Sequence, residues 1–378
     1  MGVNSAQGAP SLIQDAGELD KWIKRLSTHR IIGVDTESNS LYAYQERVCL
    51  IQFSTAEEEV LIDPITIKDL SGLGEIFSNP RILKVFHAAE YDLFGLRRDF
   101  GFEFHNLFDT MIAARILGRP QVGLGALLKA EFGIDLDKRF QRANWGKRPL
   151  SPELLHYAQQ DIHYLIPLYR RQERELREKG LEPLAQEDFQ RLVTSPKRPK
   201  EQKNAKDWWC IDGAHDLPLQ KLPVLQELHR MRDAVAQRLD CPPFMVLSDR
   251  KLIELARTSP TQPCQLGQLG ILSQKELKKY GTILLAAIRR GLQRPPLHLP
   301  HNCRPNEEFL ARLEALRQWR KTIAQKMGVP SDVILPREVM SRLADVAPKT
   351  KAELRQAMWD VPYRFEQFGE QILSLLNS

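Results

Sequence analysis

The sequence predicts an α/β domain built on a partly parallel sheet, followed by two all-α helical modules. Three observations carry this. Short apolar runs alternate with stretches of helical periodicity from Ile31 to about Leu168, the pattern of strands covered by helices. A polar, basic, proline-containing segment follows, SPKRPKEQKNAKDWW at Ser195–Trp209, and beyond it helical periodicity dominates. That helical half then repeats itself at an offset of 88 residues. Leu228, Arg232, Ala236, Pro242, Leu247, Leu255, Ala256 and Gly281 recur as Leu316, Arg320, Ala324, Pro330, Leu335, Leu343, Ala344 and Gly369. Apolar matches alone would arise between any two amphipathic helices. Matched Arg, Pro and Gly without a gap indicate one unit used twice.

Taken in order, IIGVDTE (Ile31–Glu37), VCLIQF (Val48–Phe53), EVLIDP (Glu59–Pro64) and ILKVFH (Ile82–His87) read as strands. Asp69–Ser78, Tyr91–Phe100, Asp109–Leu117, Leu124–Phe132 and Ser151–Lys179 read as helices. The last opens with Ser151 as N-cap and Pro152 in the first turn, where its missing N–H costs nothing. Residues 1–14, rich in small and polar types at their start, are expected to be disordered. A second break, Gly291–Glu308, carries four prolines and separates the two helical modules.

The 378 residues are 42% apolar, enough for packed cores. The uncharged apolar run Gly281–Ile288 is far shorter than the roughly 20 residues a membrane span needs. The N-terminus has neither a basic region nor an apolar core of a secretory signal. Five scattered cysteines with no CxxC pair fit a reducing compartment, so a cytoplasmic protein is expected. The net charge of +6 is unevenly placed. Residues 1–195 carry 24 Lys and Arg against 28 Asp and Glu; residues 196–378 carry 30 against 20. A basic C-terminal half suits a polyanion, because Lys and Arg neutralise phosphates and release counterions, although a solvated basic surface gives the same count.

The informative residues of the N-terminal half are acidic. Asp35 and Glu37 stand two apart at the end of a strand, so their carboxylates share one face. Asp92 follows the ILKVFH strand near the start of a helix, and Asp161 lies four residues after Tyr157 on one helix face. Four carboxylates from strand ends and helices make a nest for two hard divalent cations, Mg²⁺ or Mn²⁺, of the kind that drives in-line displacement at a phosphodiester. Each residue also has a plainer role open to it. Acidic residues often follow strands in turns, Asp92 suits a helix N-terminus, and Asp161 could be a solvated helix residue.

The motifs in order resemble the DEDD superfamily of 3′–5′ exonucleases in its tyrosine-containing branch, of the ribonuclease D type. The resemblance rests on VDTE at Val34–Glu37, LIQF at Leu50, LIDP at Leu61, KVFHAAEYDL at Lys84–Leu93 and FDTMIAA at Phe108. It continues through GLGALLKAEFGIDLDK at Gly123, WGKRPL at Trp145 and YAQQDIHYLIPLY at Tyr157. The repeated helical modules resemble the HRDC domain. The resemblance implies a ribonuclease H-like exonuclease domain, with a mixed central sheet flanked by helices, over residues 15–194. A basic linker then occupies 195–220, and HRDC-like modules occupy 221–292 and 305–378. It also implies that Asp35, Glu37, Asp92 and Asp161 bind two cations, and that Tyr157 positions the attacking water. Glu90 competes with Asp92 for the second motif, and His156 stands beside Tyr157 at the spacing used by the histidine branch; the surrounding residues favour Asp92 and Tyr157.

Four further residues are candidates for nucleic-acid contact: Gln52, His87, Trp145 and Arg148. Each has a structural alternative, a satisfied strand residue for Gln52, a backbone-bonded histidine for His87, and loop packing for Trp145 and Arg148. Asp109 reads as the N-cap of the following helix rather than a site acid. The resulting expectation is a monomeric, metal-dependent 3′–5′ exoribonuclease that trims structured RNA such as tRNA precursors and releases nucleoside 5′-monophosphates. A single-stranded DNA 3′ exonuclease and a non-catalytic nucleic-acid-binding protein are the alternatives. A P-loop helicase is not, since no G-x-x-x-x-G-K-[ST] occurs.

Overall fold

The computed structural model describes residues 11–194, 208–297 and 306–377. They fall into two compact units: Met1–Glu37 with Val48–Pro196 and Arg304–Ser378, and Ser38–Arg47 with Lys197–Cys303.

The first unit is built on a six-stranded mixed sheet. Its strands are β1 (Ser11–Ile13), β2 (Ile31–Ser38), β3 (Val48–Ser54), β4 (Glu59–Ile62), β5 (Leu83–Phe86) and β6 (Leu107–Asp109), in the order β1-β4-β3-β2-β5-β6. β2, β5 and β6 run parallel, with Gly33 opposite Val85 and Phe86 opposite Asp109, whereas β3 and β4 form an antiparallel pair. Apolar side chains cover both faces. Val60 and Ile62 enter one cluster with Trp22, Phe53 and Phe77, and Leu61 enters the other with Val85, Phe108 and Ile162. Burial on both faces is why these strands read as continuous apolar runs.

The helices are α1 (Ala16–Leu26), α2 (Ser71–Ser78), α3 (Glu90–Phe100), α4 (Thr110–Ile116), α5 (Leu124–Phe132), α6 (Pro152–His163), α7 (Leu165–Glu178) and α8 (Glu182–Thr194). The single helix expected over Ser151–Lys179 is two, α6 and α7, parted at Tyr164 (φ −98°, ψ 0°). Pro167 explains the break: it has no N–H for the His163 carbonyl, and its ring crowds that carbonyl. Two strands escaped the sequence pattern. β6 is too short for an alternation to register. β1 overturns the expectation of disorder for residues 11–14, because Leu12 pairs with Leu61 in parallel and the Gln14 amide donates to Asp63 at 2.9 Å. Residues 1–10 lie outside the described residues.

The linker expected over 195–220 is also not uniform. Residues 195–207 lie outside the described residues, but three 3₁₀ turns span Trp208–Cys210, Ala214–Asp216 and Leu219–Lys221. Trp208, Ile211, Ala214 and Leu217 are all buried in the core of the second unit. Their period of three suits a 3₁₀ turn, in which i and i+3 eclipse.

The two helical modules have matching internal architecture. In the second unit α9 (Leu222–Leu239), α10 (Pro243–Val246), α11 (Asp249–Thr258), α12 (Pro263–Gln268) and α13 (Gln274–Leu292) follow one another. In the first unit they correspond to α14 (Glu307–Met327), α15 (Ser331–Ile334), α16 (Arg337–Val346), α17 (Lys351–Ala357) and α18 (Pro362–Leu376). The matched arginines play the same part: Arg232 donates to the Leu247 carbonyl at 3.1 Å, and Arg320 to the Leu335 carbonyl at 2.9 Å. Both modules turn a corner through a left-handed residue at the same place, Ser259 and Ala347, each at φ +47°.

The later module is tied to α8 through buried charge. Arg364, with no exposed surface, pairs with Glu187 and with Asp188 at 2.8 Å, and donates to the Val333 carbonyl. Glu187 also accepts the Tyr363 backbone N–H at 2.6 Å. Arg191 and Arg342 both pair with Asp360.

Candidate active site

The site begins at the end of β2. Gly33 has no side chain, and a Cβ there would lie 2.3 Å from the Ser54 hydroxyl oxygen and 3.2 Å from Leu165 Cβ. Its absence lets α7 press onto the sheet. The Ser54 hydroxyl donates to the Ile162 carbonyl at 2.9 Å, pinning the end of α6 to β3. Those contacts bring Asp161 to the strand end. One carboxylate oxygen from each of Asp35, Glu37 and Asp161 lies within 4.8 Å of the others.

Asp92 comes from the first turn of α3, which is held in place by an unusual corner. Ala88 adopts φ +60°, a left-handed conformation costly for a residue with a Cβ. The Asp109 carboxylate offsets it by accepting the Ala88 and Ala89 backbone N–H groups at 3.2 and 2.7 Å, while capping α4 through Met111 and Ile112. Asp109 is thus an N-cap that also braces the turn into α3. Asp92 is buried and accepts the Thr36 hydroxyl at 2.5 Å. It stands outside the compact group of three, yet close enough for its charge to raise Asp35 and Glu37. Glu90, two residues earlier, is exposed.

Burial is the main reason all four carboxyls sit above their ordinary range. Asp35 and Glu37 are raised well above it, with further contributions from neighbouring acids. Asp92 and Asp161 are pushed up to about 7, despite hydrogen bonds from Thr36 and Tyr157 that favour their ionised forms. Four carboxyls set this close, Asp92 buried and the other three half-buried, do not all ionise together unless cations offset their charge. An all-oxygen donor set of this charge fits hard divalent cations.

Tyr157 is buried on the same face of α6 as Asp161, between Phe140 and Trp145, with ring centroids at 6.0 and 6.1 Å. Burial first, then the charges of Asp161, Glu37 and Asp35, hold its phenol well above the usual range, so it keeps its proton and acts as a donor. His156 is exposed on another face and meets Gln160 at 3.3 Å.

Three of the four candidate nucleic-acid contacts are structural. Gln52 is fully buried in β3 and cannot reach a nucleotide. Trp145 is buried against Tyr157, where it positions the phenol. Arg148 is consumed by a two-pronged ion pair with buried Asp63, at 2.6 and 2.7 Å, and by the Cys49 carbonyl at 2.7 Å. His87 differs. Its Nδ1 meets the Thr110 hydroxyl at 2.9 Å, and that hydroxyl donates to the Phe86 carbonyl. Nδ1 therefore carries the proton, and Nε2 is a buried acceptor with no hydrogen-bond partner among the described residues. Burial lowers the ring to about 4, so it is neutral.

His87, Asp35, Tyr157 and Asp161 share a cleft of about 370 Å³ with residues that sequence reasoning did not single out, among them Gly123, Lys138 and Gln141. The GLGALLKAEFGIDLDK motif spans the first two, and no motif marks Gln141. Thr36 was also missed, because a threonine between two acids reads as a strand residue.

Comparison with known proteins gives the family. The 3′-5′ exonuclease family matches residues 10–177, and the HRDC domain matches twice, at 221–288 and 309–376. Ribonuclease D of Jannaschia sp. is 30% identical over 385 residues, 97% of this chain and 95% of that protein. Ribonuclease D of Nitrobacter hamburgensis is 29% identical over 369 residues, covering 96% and 94%. The crystal structure of Escherichia coli RNase D, an exoribonuclease involved in structured RNA processing, aligns with a TM-score of 0.71 at 26% identity, covering 97% and 98% of the two chains. The sheet, its acidic strand end and the paired helical modules together define a 3′–5′ exonuclease. Within that class the chain belongs to the ribonuclease D family, and it is a 3′–5′ exoribonuclease.

Proposed function

We propose that the chain trims the 3′ ends of structured RNA, such as tRNA precursors, one nucleotide at a time, and releases nucleoside 5′-monophosphates. Asp35, Glu37, Asp92 and Asp161 would hold two divalent cations, Mg²⁺ or Mn²⁺. The supporting observation is the close-set carboxylate cluster at the end of β2, whose mutual repulsion divalent cations would offset without protonation. Bound there, the cations supply Lewis acidity that activates water and offset charge at the phosphodiester. The chain's own residues do the rest. Tyr157, protonated and packed between two aromatic rings, donates a hydrogen bond that orients the attacking water. Thr36 fixes Asp92, and Asp109 holds the turn that presents it. The carboxylates repel the scissile phosphate in the absence of cations, so the seating of the 3′ end in the cleft, and not the hold on the body of the RNA, depends on metal.

We assign residues 15–194 to the nuclease, and 221–292 and 305–378 to the helical modules, in a cytoplasmic monomer. No helix among the described residues is long and apolar enough to cross a membrane. The test is digestion of a 5′-labelled, 3′-extended tRNA in Mg²⁺, in Mn²⁺ and in EDTA. The expected result is a metal-dependent ladder shortening from the 3′ end. A matched single-stranded DNA digested in preference would favour the DNA reading, and binding without shortening would leave a nucleic-acid binder.

A further inference from the structure

The two helical modules share a backbone but not a charge. Residues 221–292 carry 12 Lys and Arg against 6 Asp and Glu, whereas residues 305–378 carry 11 against 10. The surplus has a place. Between α9 and α13 lies a groove of about 490 Å³, floored by Met231, Val235 and Ile283 and rimmed by Arg230, Arg238 and Arg290. The rim is over-supplied with cations. Glu227, nearly buried, is shared by Arg230 at 3.0 Å, Arg290 at 3.1 Å and Arg294 at 2.8 Å, so one carboxylate answers three guanidiniums. Arg238 has no acidic partner among the described residues. Arg230 and Arg290 remain more than half exposed despite their pairing, at 58% and 57%.

The repeat supplies its own control. Eighty-eight residues on, Arg230, Arg238 and Arg290 become Gln318, Lys326 and Ser378, and Glu227 becomes Ala315. The later module therefore lacks the arginine rim and the acid that organises it. What it has instead is Arg364, buried against Glu187 and Asp188 of α8. The matching position in the earlier module is Glu276, which caps α13 through Ser273 and pairs with Lys251 at 2.7 Å.

We infer that the two modules have taken different roles. The groove between α9 and α13 grips the RNA, and the later module braces the nuclease. The occupant is a segment of RNA backbone, whose phosphates meet the arginine rim while a base or ribose face covers the apolar floor. Guanidiniums suit this role because they pair with phosphate through two donors and stack on flat surfaces. The inference rests on the RNA-trimming reading and names the surface that holds the body of that substrate.

The test is binding of a 3′-extended tRNA in EDTA, so that cleavage does not contribute. Variants are the triple Arg230→Gln/Arg238→Gln/Arg290→Gln and the single Arg238→Gln, which breaks no ion pair and so keeps the test valid if the triple misfolds. Lys326→Gln is the matched control in the later module. The triple should lose roughly tenfold or more in affinity and flatten the salt dependence by about two to three ions. Arg238→Gln should lose clearly more than Lys326→Gln. Equal losses at 238 and 326, or wild-type binding by Arg238→Gln and a folded triple, would overturn the inference and leave the groove to an acidic peptide. Failure of the wild-type protein to shorten the same RNA in Mg²⁺ would instead count against the trimming reading, whatever the binding shows.

Discussion

Tyr157 and His156 are neighbours in sequence, yet about 100° apart around α6. One is packed beneath two aromatic rings and shares a face with Asp161; the other is exposed. Tyr157→Phe should therefore slow single-turnover RNA cleavage by about 10–100-fold, as loss of a group that orients the reacting partners does. His156→Ala should stay close to the wild-type rate. The opposite ranking would assign the chemistry to the histidine. Much of this site was legible in the sequence. The two-residue spacing of Asp35 and Glu37 and the four-residue spacing of Tyr157 and Asp161 follow from strand and helix periods alone. What the sequence could not supply was reach. Arg148 and Trp145 look like a basic and aromatic surface loop, and only the fold reveals that buried Asp63 consumes the one and Tyr157 covers the other. Gln52 failed for the same reason, since burial on both sheet faces is a property of what packs on the sheet.

At the scale of elements, β2 to β5 and most helices were legible because each carries its own periodicity. Two of the misses share a cause. β1 and β6 are three residues long, and they exist through pairing with distant β4 and β5. Tyr164 breaks a helix whose apolar pattern runs straight through, and Pro167 was the overlooked signal. The tie between α8 and the later module is equally invisible from sequence, because Glu187 and Arg364 are 177 residues apart. It is also costly to break. Removing one member strands a buried charge, at about 3–5 kcal/mol. Arg364→Met should lower the urea midpoint of the protein and speed amide exchange in α8 and α18. Adding Glu187→Gln should recover much of that loss, since Asp188 keeps Arg191 at 3.3 Å and no unpaired charge then remains. If the double variant is no better than the single, the pair is not the source of the stability.

Over the whole molecule, the contrast between an acidic first half and a basic second half was plain from composition, and so was the repeat. Composition could not say that the earlier module's basic surplus gathers at one groove, or that the later module joins the nuclease unit by contacts. With four close-set carboxylates at one strand end and guanidiniums at a helical groove, the proposal divides cutting from holding. The most direct test of that account is to measure cleavage and binding together in Asp35→Asn and Asp161→Asn, using a 3′-extended tRNA in saturating Mg²⁺. Loss of a metal-ligating carboxylate removes several kcal/mol of transition-state stabilisation. The account predicts that cleavage falls by about a thousandfold or more while RNA affinity changes little. Cleavage near the wild-type rate in either variant would contradict it.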